Sequence, residues 1–490
     1  MMDDLSPDLQ RAYAPQTFRE MGHALVDQLA DYLDGVDTTP ANVVPAPEDL
    51  LEEFRGFLSG GTPPKTVFRR VIDNCVHVHS PNYLGHQVNP PVPAAALADL
   101  VNGILNGSTA IFEMGAPGAV MERLVVEKFS ELLGLPESAG GFLTHGGTLA
   151  NLTALLAARA ARWPDGDPWK NGNSNVRPCV LVNEQAHYCI DRAVRIMGWG
   201  DEGIISIPCD DAFRIRTDEI VPAIRTAIAA GKTPIALIGS AGTTSTGSFD
   251  DLATLAVIAK EFSLWYHIDG AHGAPAGLDP SKENLVTGMK EADSIAMDFH
   301  KMLMTPGLTT ALFFRQNQEA YRTFHQRADY LLSFETGSED WYNMGRRTFE
   351  CTKSMISLRV FILLSTYGER LFRDYVIRVN ELGQKLAELI REKPNLELAT
   401  PPDLNIVCFR HRPAGANTSQ EALNHLNSMI RARMLAESQY YIVQTTLHNQ
   451  VYLRCTLTNP MTGEAELEGM LEKVVRHGNE LQEFKMNLPW

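Results

Sequence analysis

Two patterns of hydrophobic and polar positions divide this chain. Near the start, Phe18, Met21, Leu25, Leu29 and Tyr32 recur every three or four positions, which predicts an amphipathic helix. A proline-containing connection then leads to a second predicted helix over residues 48–58. Two helices without strands cannot close a core of their own. We therefore expect their apolar stripe to cover the rest of the chain or a partner subunit.

From about residue 90, helical patterns alternate with short apolar runs at 180–182, 234–238, 265–268, 294–297 and 311–314. Such alternation predicts βαβ units, and hence an α/β fold with a mostly parallel central sheet. One long helical stretch is predicted after Arg347, ending at about Glu392. Strands at 406–409, 440–443 and 452–457, with helices at 419–435 and 463–477, predict a small α+β unit. We expect three parts: an N-terminal helical segment (1–78), a large α/β domain (79–375) and a small C-terminal domain (376–490).

Composition narrows the functional classes. The 490 residues are 44% hydrophobic and carry a net charge of −16, which disfavours binding to nucleic acids or to acidic membranes. The seven cysteines contain no CxxC pair, so neither a disulfide framework nor a metal site is predicted. An acidic start and the lack of an apolar run of about 18 residues predict neither a signal peptide nor a membrane span. We expect a cytoplasmic protein.

Two charged residues follow predicted strands. Lys301 comes after the run 294–297, where a buried lysine can act as a Schiff-base nucleophile. Asp269 ends the run 265–268, at the edge where open α/β sheets bind ligands. Each has a simpler interpretation, Lys301 as an exposed loop residue and Asp269 as a helix N-cap.

Three further features are each only weak evidence for a cofactor site when taken alone. Gly147 and Thr148 begin a predicted helix, where backbone N–H groups can bind a phosphate. His187 follows the strand 180–182 and could stack on an aromatic ring or serve only the structure. Residues 239–247 form a loop rich in Ser and Thr after another strand. Together with Asp269 and Lys301, these features match the needs of pyridoxal phosphate: a phosphate anchor, a stacking ring, a pyridinium carboxylate and a Schiff-base lysine.

The chain resembles the group II pyridoxal-phosphate-dependent amino-acid decarboxylases of fold type I. The family includes aromatic amino-acid, glutamate, cysteine sulfinate and 2,4-diaminobutyrate decarboxylases. The matching motifs, which together extend over nearly the whole chain, are SPNYLGH (80–86), GGTLANLTALLAAR (146–159), NEQAHYCIDRA (183–193), AGTTSTGSFDDL (241–252), HIDGAH (267–272) and DFHKML (298–303). The HIDGAH and DFHK motifs are the most specific of these.

The resemblance implies roles for individual residues. Lys301 would bind the cofactor covalently, Asp269 would hold its pyridine nitrogen protonated, and the ring would lie between Ala271 and His187. The phosphate would be held by Gly147, Thr148 and His300, with Asp298 beside them and Thr244 lining the cofactor and substrate region. The family also implies a homodimer with its active site at the subunit interface, formed through the N-terminal helices.

Asp298 departs from the family pattern, since many members have Asn there. A carboxylate near a phosphate is unfavourable unless it donates a hydrogen bond or points away. The proton donor to Cα is expected in the loop at residues 334–344, with Tyr342 as the candidate acid. A packing role for Tyr342 is equally compatible with the sequence.

The residues expected around the substrate side chain bear on which amino acid is used. The side-chain pocket would contain Tyr83, His86, Gln87, Arg454 and, from the partner subunit, Glu113. This polar set favours a diamino or acidic substrate over an aromatic one. Other chemistries on the same fold remain alternatives: oxidative decarboxylation to an aldehyde, carbon–carbon lysis or transamination. A catalytically inactive binding protein is disfavoured because Lys301 and Asp269 are both present.

Overall fold

The computed structural model describes residues 4–173, 175–324, 341–413 and 418–486. Its strands are β1 (Gly140–Thr144), β2 (Pro178–Asn183), β3 (Ile204–Ile207), β4 (Thr233–Ser240), β5 (Trp265–Asp269), β6 (Ser294–Asp298), β7 (Thr310–Phe314), β8 (Leu396–Leu398), β9 (Ile406–His411), β10 (Val443–Leu447) and β11 (Gln450–Thr456). The first seven form one sheet in the order β1-β7-β6-β5-β4-β2-β3, and the last four form an antiparallel sheet in the order β10-β11-β9-β8.

The helices are α1 (Pro7–Ala12), α2 (Pro15–Asp34), α3 (Pro47–Phe57), α4 (Pro64–Asp73), α5 (Pro93–Leu105), α6 (Phe112–Leu132), α7 (Gly147–Arg162), α8 (Pro168–Asn171), α9 (Cys189–Ile196), α10 (Thr217–Ala229), α11 (Leu252–Glu261), α12 (Phe299–Met302), α13 (Ser357–Tyr367), α14 (Glu369–Arg391), α15 (Gln420–Glu437) and α16 (Glu464–Met486). None of these described helices has the length and apolar character that a membrane crossing requires.

The expected α/β fold is confirmed. In the large sheet, β3, β2, β4, β5 and β6 run parallel, while β7 pairs antiparallel with both β6 and β1. Helices cover both faces, so successive residues of one strand belong to different cores: Leu181 packs in one cluster and Val180 in the other. Coverage of both faces is why these strands are continuously apolar rather than alternating.

Several boundaries differ from the sequence predictions. The helix predicted after Arg347 begins only at Ser357 and is two helices. Helix α13 ends at Tyr367, because the φ of 73° at its cap residue Gly368 lies in the left-handed region. The predicted strand at 440–443 is mostly not a ladder strand, since β10 begins only at Val443. Tyr441 instead pairs through an isolated bridge with Tyr83, and Leu84 N donates to Tyr441 O at 2.9 Å.

Helix α14 belongs to two hydrophobic clusters. Phe372 and Val376 in its first half are buried in the large-sheet core, whereas Leu386 and Ile390 in its second half are buried in the small-sheet core. Leu84 also lies in the small-sheet core. The division at residues 375/376 therefore falls inside a continuous helix, and the three-part division stays a prediction.

The N-terminal helices have little packing within the chain. Of the described residues, no side chain of α2 or α3 is buried. Phe18 is 46% exposed and Leu29 is 41% exposed. Their apolar stripe therefore remains available for a partner.

Glu122 on α6 and Lys353 form a buried ion pair beside β1. Lys353 Nζ lies 2.5 Å from Glu122 Oε1 and donates to Leu143 O at 2.9 Å, while Leu143 N donates to the same carboxylate oxygen at 2.9 Å. The two side chains are 0% and 1% exposed. The pair therefore ties the segment before α13 to both α6 and β1.

We expect Lys353→Met to lower the free energy of unfolding by about 3–5 kcal/mol, because it leaves the Glu122 carboxylate buried without its cation. Urea titration followed by circular dichroism measures this change. The matched control is Lys128→Met, since Lys128 forms ion pairs while partly exposed and should cost at most about 1 kcal/mol. Equal effects of the two substitutions would contradict the prediction.

Candidate active site

A cavity of about 280 Å³ lies at the carboxyl ends of the parallel strands. Ser240 ends β4, Asp269 ends β5 and Asp298 ends β6, and all three line it. Such crevices are where open α/β sheets bind ligands. The complete lining is His145, Gly146, Gly147, Thr148, Asn151, His187, Cys189, Ser240, Gly242, Thr243, Thr244, Asp269, Ala271, His272, Asp298, His300, Lys301 and Leu308. The structure thus brings together all nine residues predicted to bind the cofactor.

The start of α7 forms one wall. Gly146 has a φ of 106°, a conformation that favours glycine, and it turns the chain from β1 into the helix. A Cβ atom on Gly147 would lie 3.2 Å from Asp298 Oδ1 and 3.5 Å from the Ala271 side chain, so a larger residue would intrude on this wall. The first N–H groups of a helix lack intrahelical partners, which makes this end suitable for an anion.

Lys301 and Asp298 form an ion pair within the cavity. Lys301 lies on the single-turn helix α12, and its Nζ is 3.0 Å from Asp298 Oδ2, while Thr310 Oγ1 donates to Asp298 Oδ1 at 2.5 Å. Burial alone would raise the pKa of Asp298, but Lys301, His300 and Thr310 together lower it. Burial would likewise lower the pKa of Lys301, but Asp298 and Asp269 raise it.

The partners of Asp298 explain how a carboxylate is accommodated where many family members have Asn. The carboxylate accepts a hydrogen bond on one oxygen and faces the lysine ammonium with the other, so both oxygens have partners. His300 Nε2 lies farther away, 3.7 Å from Oδ2. Asp298 therefore compensates the charge of the lysine instead of being an isolated negative charge.

Behind Asp269 lies a buried chain of hydrogen bonds that sequence reasoning missed. Asn151 Oδ1 accepts from His267 Nε2 at 2.7 Å, and Asn151 Nδ2 donates to Cys189 Sγ at 3.3 Å. Ser294 Oγ is 2.9 Å from His267 Nδ1. Burial lowers the pKa of His267 to about 4, so the imidazole is neutral near pH 7. The sequence could have indicated that His267 lies beside Asp269, because residues two apart on a strand such as β5 share a face.

His187 lies on the loop between β2 and α9. Its Nδ1 accepts from Cys189 N at 3.3 Å, and its ring centroid lies 4.2 Å from that of Tyr188. Burial lowers the pKa of His187 below its ordinary value, which favours a neutral ring. A neutral imidazole facing the cavity is suited to stacking on a flat ligand.

His145 also lines the cavity and was not predicted from the sequence. Its Nδ1 contacts Glu350 Oε1, and its Nε2 lies 3.2 Å from Ser354 Oγ. No motif singled out this residue, because its partners are more than 200 positions away.

Of the predicted substrate residues, Tyr83, His86 and Arg454 have contacts near Tyr441 or the cavity, whereas Glu113 does not line the cavity. Tyr83 stacks on Tyr441 with ring centroids 5.4 Å apart, and Arg454 Nη1 donates at 2.8 Å to the main-chain oxygen of the cavity residue Thr244. The ring centroid of His86 lies 5.9 Å from that of Tyr441. Burial lowers the pKa of His86, and the positive charges of Arg454 and Arg431 lower it further. Gln87 follows His86 in the chain. Arg454 thus lies beside the cavity, whereas Tyr83 and His86 lie close to Tyr441.

Glu113 and Tyr342 are not among the residues that line this cavity. The Tyr342 ring packs edge-on against Phe112, with centroids 5.2 Å apart, and Asn343 Oδ1 accepts from Phe112 N at 2.9 Å. Tyr342 and the segment around Glu113 therefore share one surface of the chain. Residues 334–340 of the predicted loop lie outside the described residues.

Comparison with known proteins agrees with this geometry. The family signature described as the pyridoxal-dependent decarboxylase conserved domain matches residues 66–412. The chain belongs to this family. It is a pyridoxal-phosphate-dependent amino-acid decarboxylase, a carboxy-lyase, as the sequence analysis predicted.

Similar proteins act on different amino acids. The chain is 27% identical to the aromatic-L-amino-acid decarboxylase of Bacillus atrophaeus over 96% of this chain and 97% of that protein. It is 24% identical to the L-2,4-diaminobutyrate decarboxylase of Acinetobacter baumannii over 84% of this chain and 82% of that protein. The structure of Oryza sativa TDC with PLP and tryptamine superposes with a TM-score of 0.88 at 22% identity, covering 97% and 99% of the two chains. These proteins share the family or the fold of this chain and carry different substrates in their names.

Proposed function

We propose that the cavity holds pyridoxal phosphate through the roles that the resemblance implies. The residues that line the cavity support this assignment: a helix N-terminus, an amine, a carboxylate, and the side chains of Ala271 and His187 for the faces of a flat ring. Lys301 would bond to the aldehyde carbon of the cofactor, and Asp269 would pair with its ring nitrogen. The cofactor phosphate would lie at the start of α7 near His300. The ring faces would meet Ala271 and His187, with Thr244 beside the substrate.

When bound, the protonated pyridine ring supplies an acceptor for the electron pair that departing CO2 leaves at Cα. Asp269 would sustain this property by keeping a negative charge at the ring nitrogen. Asn151 and His267 pack behind that position through a 2.7 Å hydrogen bond, and a neutral His267 adds no positive charge to compete with the ring. Lys301 would have to lose its proton before bonding, and its 3.0 Å ion pair with Asp298 opposes this loss because the carboxylate raises the pKa of the lysine.

The proposed substrate is an L-amino acid with a polar side chain, which loses its α-carboxylate to give an amine. The observation that carries this proposal is that two predicted substrate residues have buried donors without partners in the described structure, Gln87 Nε2 and Arg454 Nε, and that Arg454 contacts the cavity residue Thr244. A buried donor without an acceptor costs free energy, so a ligand that supplies an acceptor is favoured there. Within the polar class, these donors favour an acidic side chain over a diamino one.

A substrate panel tests this proposal. The holoenzyme is assayed for CO2 and for amine with aspartate, glutamate, 2,4-diaminobutyrate, tryptophan and phenylalanine. We expect the highest kcat/KM on an acidic substrate, and we expect Gln87→Ala to raise KM on it more than on the others. Preference for tryptophan would overturn the polar assignment. Aldehyde in place of amine would instead show that oxidative decarboxylation is the reaction.

We also propose a homodimer in which Tyr342 serves the partner's cavity. Two observations support it: the exposed apolar stripe of α2, and the position of Tyr342 with Phe112 on a surface that does not line the cavity of its own chain. A two-fold interface would place the same surface against the other subunit. Tyr342 would then donate the proton to Cα.

Mixed dimers test this arrangement. We expect Tyr342→Phe to lower the amine-to-CO2 ratio, because the carbanion is protonated poorly. Refolding equal amounts of Tyr342→Phe and Lys301→Ala chains together should restore amine formation to about a quarter of the parent level, since half of the dimers would have one intact site. If amine formation did not recover in the mixture, Tyr342 would not act on the cavity of the partner subunit. If Tyr342→Phe left the amine-to-CO2 ratio unchanged, Tyr342 would not be the acid.

A further inference from the structure

Three side chains with metal-binding atoms meet outside the cavity, at the junction of the two sheets. Glu184 follows β2, Cys209 follows β3 and His448 lies in the turn between β10 and β11. Cys209 Sγ is 2.8 Å from Glu184 Oε1 and 3.5 Å from His448 Nε2, and the imidazole nitrogen is 3.8 Å from the carboxylate oxygen. The group therefore combines a thiol, an imidazole and a carboxylate from both parts of the fold.

These separations approach those of a tetrahedral zinc site. With metal–ligand distances of about 2.0–2.3 Å, neighbouring ligand atoms in such a site are about 3.3–3.6 Å apart. The sulfur–nitrogen separation already falls in this range, and the nitrogen–oxygen separation is close to it. Only the sulfur–oxygen pair must move apart, since it is now joined by a hydrogen bond from the thiol.

Backbone hydrogen bonds position Glu184 and Cys209, and a ring contact positions His448. Glu184 N donates to Ile207 O at 3.0 Å, and Cys209 N donates to Glu184 Oε1 at 3.2 Å. His448 packs against Phe213 with ring centroids 5.1 Å apart, and Phe213 is buried among Leu447, Tyr452, Ile406 and Cys408. An apolar cluster beneath the imidazole fixes its orientation. Binding therefore requires mainly that the Glu184 carboxylate move away from the Cys209 sulfur.

We propose that Glu184, Cys209 and His448 form a Zn²⁺ site with solvent as the fourth ligand. Cysteine, histidine and carboxylate are the protein ligands that zinc uses. On binding, the Cys209 S–H bond breaks, its proton passes to solvent, and the thiolate electron pair forms the bond to the metal. Glu184 and His448 are exposed, so the metal has access from solvent. The proposal does not depend on which amino acid the enzyme decarboxylates.

The location gives the metal a structural consequence. Glu184 begins the loop that carries His187 to the cavity, and His448 lies in the hairpin whose strand β11 carries Arg454. A metal bonded to both elements would tie the edge of the large sheet to the small sheet. We therefore expect Zn²⁺ to raise the melting temperature of the holoenzyme.

The test measures binding of Zn²⁺ alone to chelator-treated and dialysed holoenzyme. Elemental analysis should give one Zn²⁺ per chain, and competition with a chromophoric chelator gives the affinity. We expect Cys209→Ser and His448→Ala each to weaken binding at least about tenfold, the lower bound for losing even an outer-shell partner. The matched controls Cys75→Ser and His425→Ala replace exposed residues outside this group and should bind as the parent does.

Folding and binding are kept separate in this experiment. Circular dichroism and the absorbance of the bound cofactor report whether each variant folds, and Glu184→Gln provides a third, near-isosteric change at an exposed side chain. Loss of the zinc-dependent rise in melting temperature in all three folded variants would support the site. Failure of the parent to retain Zn²⁺, or retention in folded Cys209→Ser and His448→Ala, would overturn it.

Discussion

Lys301→Ala is expected to abolish turnover. Substrate amine must exchange with a lysine bonded to the cofactor, and the DFHK motif supplies no second amine. The loss should be at least about a thousandfold in kcat, as expected when a covalent nucleophile is removed. Steady-state CO2 release measures it, and loss of the absorbance band of the lysine-bound cofactor provides an independent readout.

The control separates loss of the amine from loss of charge. Lys301→Arg keeps a positive charge opposite Asp298 Oδ2, which is 3.0 Å from the native Nζ, but removes the nucleophilic amine. Both variants should therefore be inactive, and Lys301→Arg should retain more of the parent stability. Measurable turnover in either one would refute the assignment of Lys301.

Asp269→Asn is expected to leave the cofactor bound and to slow decarboxylation by about two to four orders of magnitude. The amide has nearly the same shape as the carboxylate but cannot hold a proton on the ring nitrogen by its charge. Its Oδ1 should still accept from Ala271 N, the 3.2 Å bond of the native residue. Single-turnover measurements should show normal substrate binding with a slow chemical step.

A matched control is Asp279→Asn. Asp279 is also a buried carboxylate, but it caps a short helix and accepts from Asn380 outside the cavity lining. Its replacement should change stability and leave the cofactor spectrum unaltered. An Asp269→Asn enzyme with parent-like kcat would show that another group keeps the ring protonated.

The sequence predicted the main sheet well where strands were continuously apolar. Strands β2, β4, β5, β6 and β7 were all found because they are buried on both faces. Strand β1 was missed because its first two residues are glycines, and β3 was missed because it is a four-residue edge strand that is mostly not buried. The antiparallel direction of β7 has no local signal, since direction depends on the connection and not on composition.

The cavity could be predicted because its residues follow strand ends in one sheet, where topology brings them together. Asn151 was missed because its function depends on a partner on another element, His267. The group of Glu184, Cys209 and His448 had no sequence signal at all, since 239 positions separate Cys209 from His448. Such contacts between the two sheets depend on the tertiary fold, in which α14 belongs to the cores of both sheets.

The path of α14 has a consequence for how the protein unfolds. Its first half completes the core of the large sheet and its second half completes the core of the small sheet. If either core opened, half of the helix would lose its packing, and short isolated helices are marginal in water. The two cores are therefore coupled in one cooperative unit, and partial unfolding that leaves the cavity intact is disfavoured.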